Sequence, residues 1–192
     1  MEETSFQPDL QPTVDTLRRG GVILYPTDTV WGIGCDATNS DAVRRIFDIK
    51  HRTDSKALIV LVDSVAMLER YVDEVPEVAY QLIEAAVRPI TIVYDHGINL
   101  APELLPADSS VGIRVTSDPF CRELCRRLRR PIVSTSANIS GAPAARFFSE
   151  IDPAIVAAAD FIPQYRRDDT TALPPSSVIK IAADGQFRIL RP

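Results

Sequence analysis

Apolar and polar positions along the chain fall into short blocks whose period alternates between about two and about 3.6, the spacings of strands and helices. Val22–Tyr25, Ala57–Val62, Ile90–Tyr94, Val111–Val115 and Ile132-Val133 are apolar runs of strand length. Between them lie helical patterns. Ala42, Val43, Ile46 and Phe47 give Asp41–Lys50 one apolar face, with Asn39 or Ser40 placed to cap it. Val14–Arg19, closed by Gly20-Gly21, reads as a short helix. Further helices are predicted over Ser64–Tyr71, from Pro76 to about Val87, from Asp118-Pro119 with Phe120, Leu124 and Leu128 inward, and over Ala154–Ala159. Val178–Ile181 and Phe187–Leu190 flank a turn containing Gly185 and read as a hairpin. Strands separated by helices, ending in a hairpin, predict an α/β domain with a twisted mixed sheet flanked by helices.

At 192 residues and 45% hydrophobic composition, the chain suits one domain with a real core, and no composition shift divides it. The acidic, polar segment 1–12 is expected to be loosely held, with the domain spanning 13–192. That segment lacks the pattern of a signal peptide, and no apolar run reaches the roughly 20 residues of a membrane span. The expectation is a cytoplasmic protein. A net charge of −5 argues against a chain whose main task is to coat nucleic acid, though not against a local basic pocket. Cys35, Cys121 and Cys125 form no disulfide framework, and no metal site is expected from them. His51 and His96 are the only histidines, and neither sits in a nucleophile motif.

Three stretches are too rich in polar groups to be mere connections. Leu24-Tyr25-Pro26-Thr27-Asp28-Thr29-Val30-Trp31-Gly32-Ile33-Gly34 puts hydroxyls and a carboxylate after a strand, where α/β proteins bind ligands. Lys50-His51-Arg52-Thr53-Asp54-Ser55-Lys56 gathers three cations at a helix end. Lys50 suits the helix dipole, while Arg52 and Lys56 fit either a solvated loop or a polyphosphate. Ser134-Thr135-Ser136-Ala137-Asn138-Ile139-Ser140-Gly141 is either a serine-rich turn with Asn138 left-handed or a nest of donors for an anion.

Taken together with Val111-Gly112-Ile113-Arg114-Val115 and Pro175-Ser176-Ser177-Val178-Ile179, these stretches resemble the YrdC/Sua5 family over roughly Val14–Ile181. The resemblance implies a YrdC-like domain with an open concave ligand site, in the short single-domain form. It implies an L-threonylcarbamoyladenylate synthase, a nucleotidyltransferase that makes threonylcarbamoyl-AMP and pyrophosphate from L-threonine, bicarbonate and ATP for tRNA modification. Mg2+ would accompany the ATP, without a dedicated protein carboxylate. tRNA and the downstream threonylcarbamoyl-transferase proteins would be partners. By the same resemblance, Lys50, Arg52 and Lys56 would serve catalysis on the triphosphate and carbamate. Thr29, Thr27 and Arg114 would hold threonine, and Ser110, Ser134, Ser136, Asn138 and Arg191 would contact nucleotide.

The chain departs from the family pattern at Thr53 and Ala57, where proline is common. It also reads Val87-Arg88-Pro89-Ile90-Thr91 in place of Pro-Gly-Pro-x-Thr. It keeps the Lys-x-Arg pair and the asparagine after Ser-Ala, which favours the synthase. The alternatives are a non-catalytic nucleotide- or RNA-binding module of the same fold, and a carbamoyl-transfer domain of hydrogenase maturation. The latter is usually joined to zinc-finger-like cysteine motifs that this chain lacks.

Overall fold

The computed structural model describes residues 5–52, 58–182 and 184–192. Helix α1 (Gln7–Arg18) begins well before the predicted Val14. Read locally, Pro8 and Pro12 look like helix breakers. Pro8 falls in the first turn, where its missing N–H is no loss. Pro12 forfeits one helical bond at about 3 kcal/mol, but Leu10, Val14 and Leu17 are fully buried, each contributing roughly 1.5–3 kcal/mol. Burial therefore wins, and residues from Gln7 onward in the 1–12 segment are helical.

Among the described residues, eight strands form one open mixed sheet: β1 (Ile23–Tyr25), β2 (Gly32–Gly34), β3 (Ile59–Val62), β4 (Ile90–Tyr94), β5 (Val111–Val115), β6 (Ile132–Ser136), β7 (Ser177–Ile181) and β8 (Phe187–Arg191). Their order is β1-β2-β6-β3-β5-β4-β7-β8. β3/β5 and β4/β7 are parallel and the other neighbours antiparallel. Strand β2 lies in a stretch that reads as a loop, because glycine packs no side chain in a strand. It forms because β6 continues past Val133, pairing Gly32 with Ser136 and Ile33 with Thr135. Ser134 and Ser136 are thus strand residues, fixed by ladder bonds rather than carried on a loop.

Helix α2 (Ser40–Ile49) is capped as expected by Asn39, whose Oδ1 accepts from the Ala42 N–H at 3.1 Å. Helices α3 (Val65–Leu68) and α4 (Glu77–Ala85) are shorter than predicted, and Pro76 is the cap of α4 rather than its first residue. The chain leaves α4 before Val87, which is 96% exposed. Helix α5 (Pro119–Leu128) is capped by Asp118 and buries Phe120, Cys121, Leu124, Cys125 and Leu128. Helix α6 covers Pro153–Ala158. No helix among the described residues is long and apolar enough to cross a membrane.

Candidate functional site

The sheet carries a cleft of about 510 Å3 whose lining includes Thr29, Arg52, Arg114, Ser134, Ser136 and Arg191. Six residues that the sequence singles out therefore converge from five different segments. Arg114 is delivered from near the C-terminal end of β5 and is almost fully buried. Its Nη1 pairs with Asp28 Oδ1 at 2.5 Å and reaches Thr29 Oγ1 at 3.2 Å. Its Nε donates to Thr91 Oγ1 and its Nη2 to Ser176 Oγ, both at 3.3 Å. Asp28 is held in turn by the Thr116 hydroxyl at 3.1 Å. Arg114 thus has an acidic neighbour inside the protein, and its guanidinium is oriented before any ligand arrives.

Arg191 reaches the cleft because strand β8 is irregular. Val178 pairs with Arg191 and Ile179 with Ile189, so Leu190 is an extra residue, a bulge that re-aims the side chain after it. The Arg191 Nε–H donates to Ser176 O at 2.9 Å. Arg146 also lines the cleft while pairing with Glu150.

Lys50 faces inward. It is 2% exposed, and its Nζ donates to the carbonyls of Ser136 at 2.5 Å and Asn138 at 2.7 Å. Its own carbonyl accepts from Ser140 N at 2.9 Å. The residue ties the end of α2 to the segment after β6 and is not part of the cleft lining. Burial, and secondarily the Arg52 charge, lowers its ammonium to about 8. The unfolded chain keeps that proton up to about 10.5, so Lys50 adds stability as pH rises through the window from about 8 to 10.5. The stability gap between wild type and Lys50→Met should widen in favour of wild type across that window in urea titrations. A flat gap would contradict the depressed ammonium.

Asn138 is not left-handed; the positive φ in this segment belongs to Gly141. The Asn138 amide donates to the carbonyls of Ile139 and Ala142 at 2.9 and 2.6 Å, leaving a buried Oδ1 without a partner. Thr27 is turned away from the cleft, its hydroxyl donating to Val30 O at 2.8 Å. Arg166 braces the same turn through Thr27 O at 3.0 Å. Ser110 is not part of the cleft lining either; it closes a local turn onto Asp108 at 2.7 Å and holds that carboxyl below its usual range. Lys56, Thr53 and Ala57 lie outside the described residues. Arg88 lies at a smaller cavity that Asp28 also lines.

Asp28, Thr91, Ser176 and Arg146 are the site residues that sequence reasoning left without a role. Asp28, Thr91 and Ser176 each stand inside a stretch named above, which was the available signal. Cys121 and Cys125 donate to the carbonyls of Pro26 and Leu61 at 3.4 and 3.5 Å, and burial pushes both thiols up. They are core residues. No group of three or more His, Cys, Asp or Glu among the described residues could hold a metal ion.

The model of the Sua5_yciO_yrdC family, described as "Telomere recombination", matches residues 15–192. A threonylcarbamoyl-AMP synthase of Xanthomonas campestris is 38% identical over 157 residues, covering 80% of this chain and 83% of that protein. Among solved structures, P. abyssi Sua5 complexed with L-threonine superposes with a TM-score of 0.83 at 26% identity. That alignment covers 97% of this chain and 54% of the Sua5 chain, so this chain spans little more than half of that protein. E. coli YciO gives a TM-score of 0.81 at 26% identity, covering 96% of this chain and 89% of the other.

Proposed function

The chain belongs to the Sua5/YciO/YrdC family, and from that premise we propose that it is a threonylcarbamoyl-AMP synthase acting as a nucleotidyltransferase on L-threonine, bicarbonate and ATP. The observation that carries this reading is the cleft itself: a buried guanidinium at Arg114, three further arginines, Arg52, Arg146 and Arg191, and strand hydroxyls at Ser134 and Ser136. Such a set suits one carboxylate and a run of phosphates. It offers no histidine nucleophile, and the reaction requires none.

The threonine amine adds to bicarbonate with loss of water, giving a carbamate. A carbamate oxygen attacks the α-phosphorus of ATP and pyrophosphate leaves. Negative charge gathers on the phosphates, so positioning and electrostatic stabilisation carry the catalysis. Arg114 takes the threonine carboxylate. Arg52, with Lys56, takes the triphosphate and carbamate. Ser134, Ser136 and Arg191 take the nucleotide. Lys50 acts by holding the 136–140 segment, which the Asn138 amide braces from within, and Asn138 itself does not line the cleft. The Asp28 carboxylate behind Arg114 is already engaged by Arg114 and Thr116, so Mg2+ would arrive with ATP and rest on phosphate oxygens and water. The adenylate would feed the threonylcarbamoylation of tRNA through partner proteins.

Amino-acid selectivity tests the reading. Threonine should support pyrophosphate release far better than valine, because a site with polar groups paired to the threonine hydroxyl loses roughly 1–3 kcal/mol or more when they are left unpaired. Equal rates with both amino acids would contradict the threonine assignment, and ATP binding without turnover would favour a non-catalytic binding module.

A further inference from the structure

The two hydroxyls that flank Arg114 in the cleft have opposite hydrogen-bonding polarity, fixed by two threonines behind them. On one side stands Thr91, in β4, with no exposed surface. Its Oγ1 receives the Arg114 Nε–H at 3.3 Å, so its own hydrogen needs another acceptor. Its remaining contact is Ser176 Oγ at 2.9 Å, and a buried hydroxyl that donates nowhere is costly. Thr91 is therefore the donor in that pair. Ser176 Oγ is also approached by Arg114 Nη2 at 3.3 Å and Arg191 Nη2 at 3.4 Å. With donors on every protein side, the Ser176 O–H is left to donate into the cleft that it lines.

On the other side the polarity is reversed. Thr27 gives its hydroxyl hydrogen to Val30 O at 2.8 Å and accepts the Thr29 N–H at 3.0 Å. A hydroxyl has one hydrogen, so in the Thr27–Thr29 contact of 3.1 Å the donor is Thr29. Thr29 Oγ1 also accepts from Arg114 Nη1 at 3.2 Å. With its hydrogen spent inward, Thr29 can offer the cleft only an acceptor.

We propose that Thr91 and Thr27 are positioning residues that set this polarity, so that the cleft reads the two ends of an α-amino acid. Ser176, beside the second Nη2–H of Arg114, takes the carboxylate, and Thr29 accepts from the ammonium or hydroxyl end. The choice of threonine as ligand rests on the proposed function; the polarity follows from the hydrogen bonds alone.

The test is calorimetric titration with threonine, with threoninol (the same molecule with its carboxylate reduced to an alcohol), and with ATP. Thr91→Val keeps the shape and removes the hydroxyl that turns Ser176 outward. It should weaken threonine binding about 10- to 100-fold while ATP binding moves less than about threefold. Thr91→Ser should restore threonine affinity to within about threefold of wild type. Threoninol should bind wild type and Thr91→Val alike, because the donor side then has no anion to hold. Unchanged threonine affinity in Thr91→Val, or equal losses with threonine and threoninol, overturns the inference. If Thr91→Val does not fold, Ser176→Ala carries the same comparison. Wild type that binds threonine but releases no pyrophosphate overturns only the synthase reading. Wild type that binds no threonine overturns the ligand named here as well.

Discussion

Arg114→Met alone is expected to lower the unfolding free energy by about 3–5 kcal/mol, because it leaves Asp28 as a buried, unpaired carboxylate. The pair is well shielded, with the two side chains 5% and 8% exposed. Adding Asp28→Asn to the same chain removes the stranded charge and keeps an oxygen for the Thr116 hydroxyl, so most of the lost stability should return. Threonine binding should not return, since the guanidinium is still missing. The single and double variants therefore separate two roles that a single substitution confuses. Urea denaturation reads the first role and threonine titration the second. Equal destabilisation in both variants would mean that Asp28 does not depend on Arg114. Threonine binding preserved in the double variant would mean that Arg114 is only an internal ion-pair partner.

Gly34→Ala is expected to cost about 3 kcal/mol or more and to abolish the site through the fold, since Gly34 itself offers a ligand no side chain. A Cβ at Gly34 would stand 2.1 Å from Val133 O and 2.8 Å from Tyr25 Cε1. Neither neighbour can yield. Val133 is bonded through its N–H to Cys35 O at 2.8 Å, and Tyr25 is fully buried, with its hydroxyl on Val133 O at 3.1 Å. Relief would require β2 to separate from β6, and that pairing holds Thr135 and Ser136 at the cleft. Gly141, where a Cβ would meet nothing, is the control for crowding: its positive φ leaves Gly141→Ala strained in backbone but not in packing. A melting temperature for Gly34→Ala close to wild type would contradict the close approach.

Much of this was legible before the structure. The apolar runs that became β1, β3, β4, β5, β7, β8 and the first two residues of β6 were clear because each follows an alternating or continuous pattern of strand length. Strand β2 was hidden, since its reason to form is the neighbouring β6 rather than its own side chains. The helical extent of α1 was hidden because proline is a local signal and burial of Leu10 is a tertiary one. At the site, residue types announced the chemistry but not their direction. Lys50 and Arg52 stand two apart, yet one ammonium is buried on two carbonyls while the other cation lines the cleft. The Asp28–Arg114 pair joins residues 86 positions apart, a distance no local pattern spans. Thr91 and Ser176, 85 apart, meet only because β4 and β7 pair in parallel.

The most direct measurement of the central claim is a single reaction containing the protein, ATP, Mg2+, threonine and isotope-labelled bicarbonate, followed for pyrophosphate and for the mass of the adenylate. Pyrophosphate release that needs both threonine and bicarbonate, with the label retained in threonylcarbamoyl-AMP, is the predicted result. Pyrophosphate released without threonine, or an adenylate that carries no label, would contradict it.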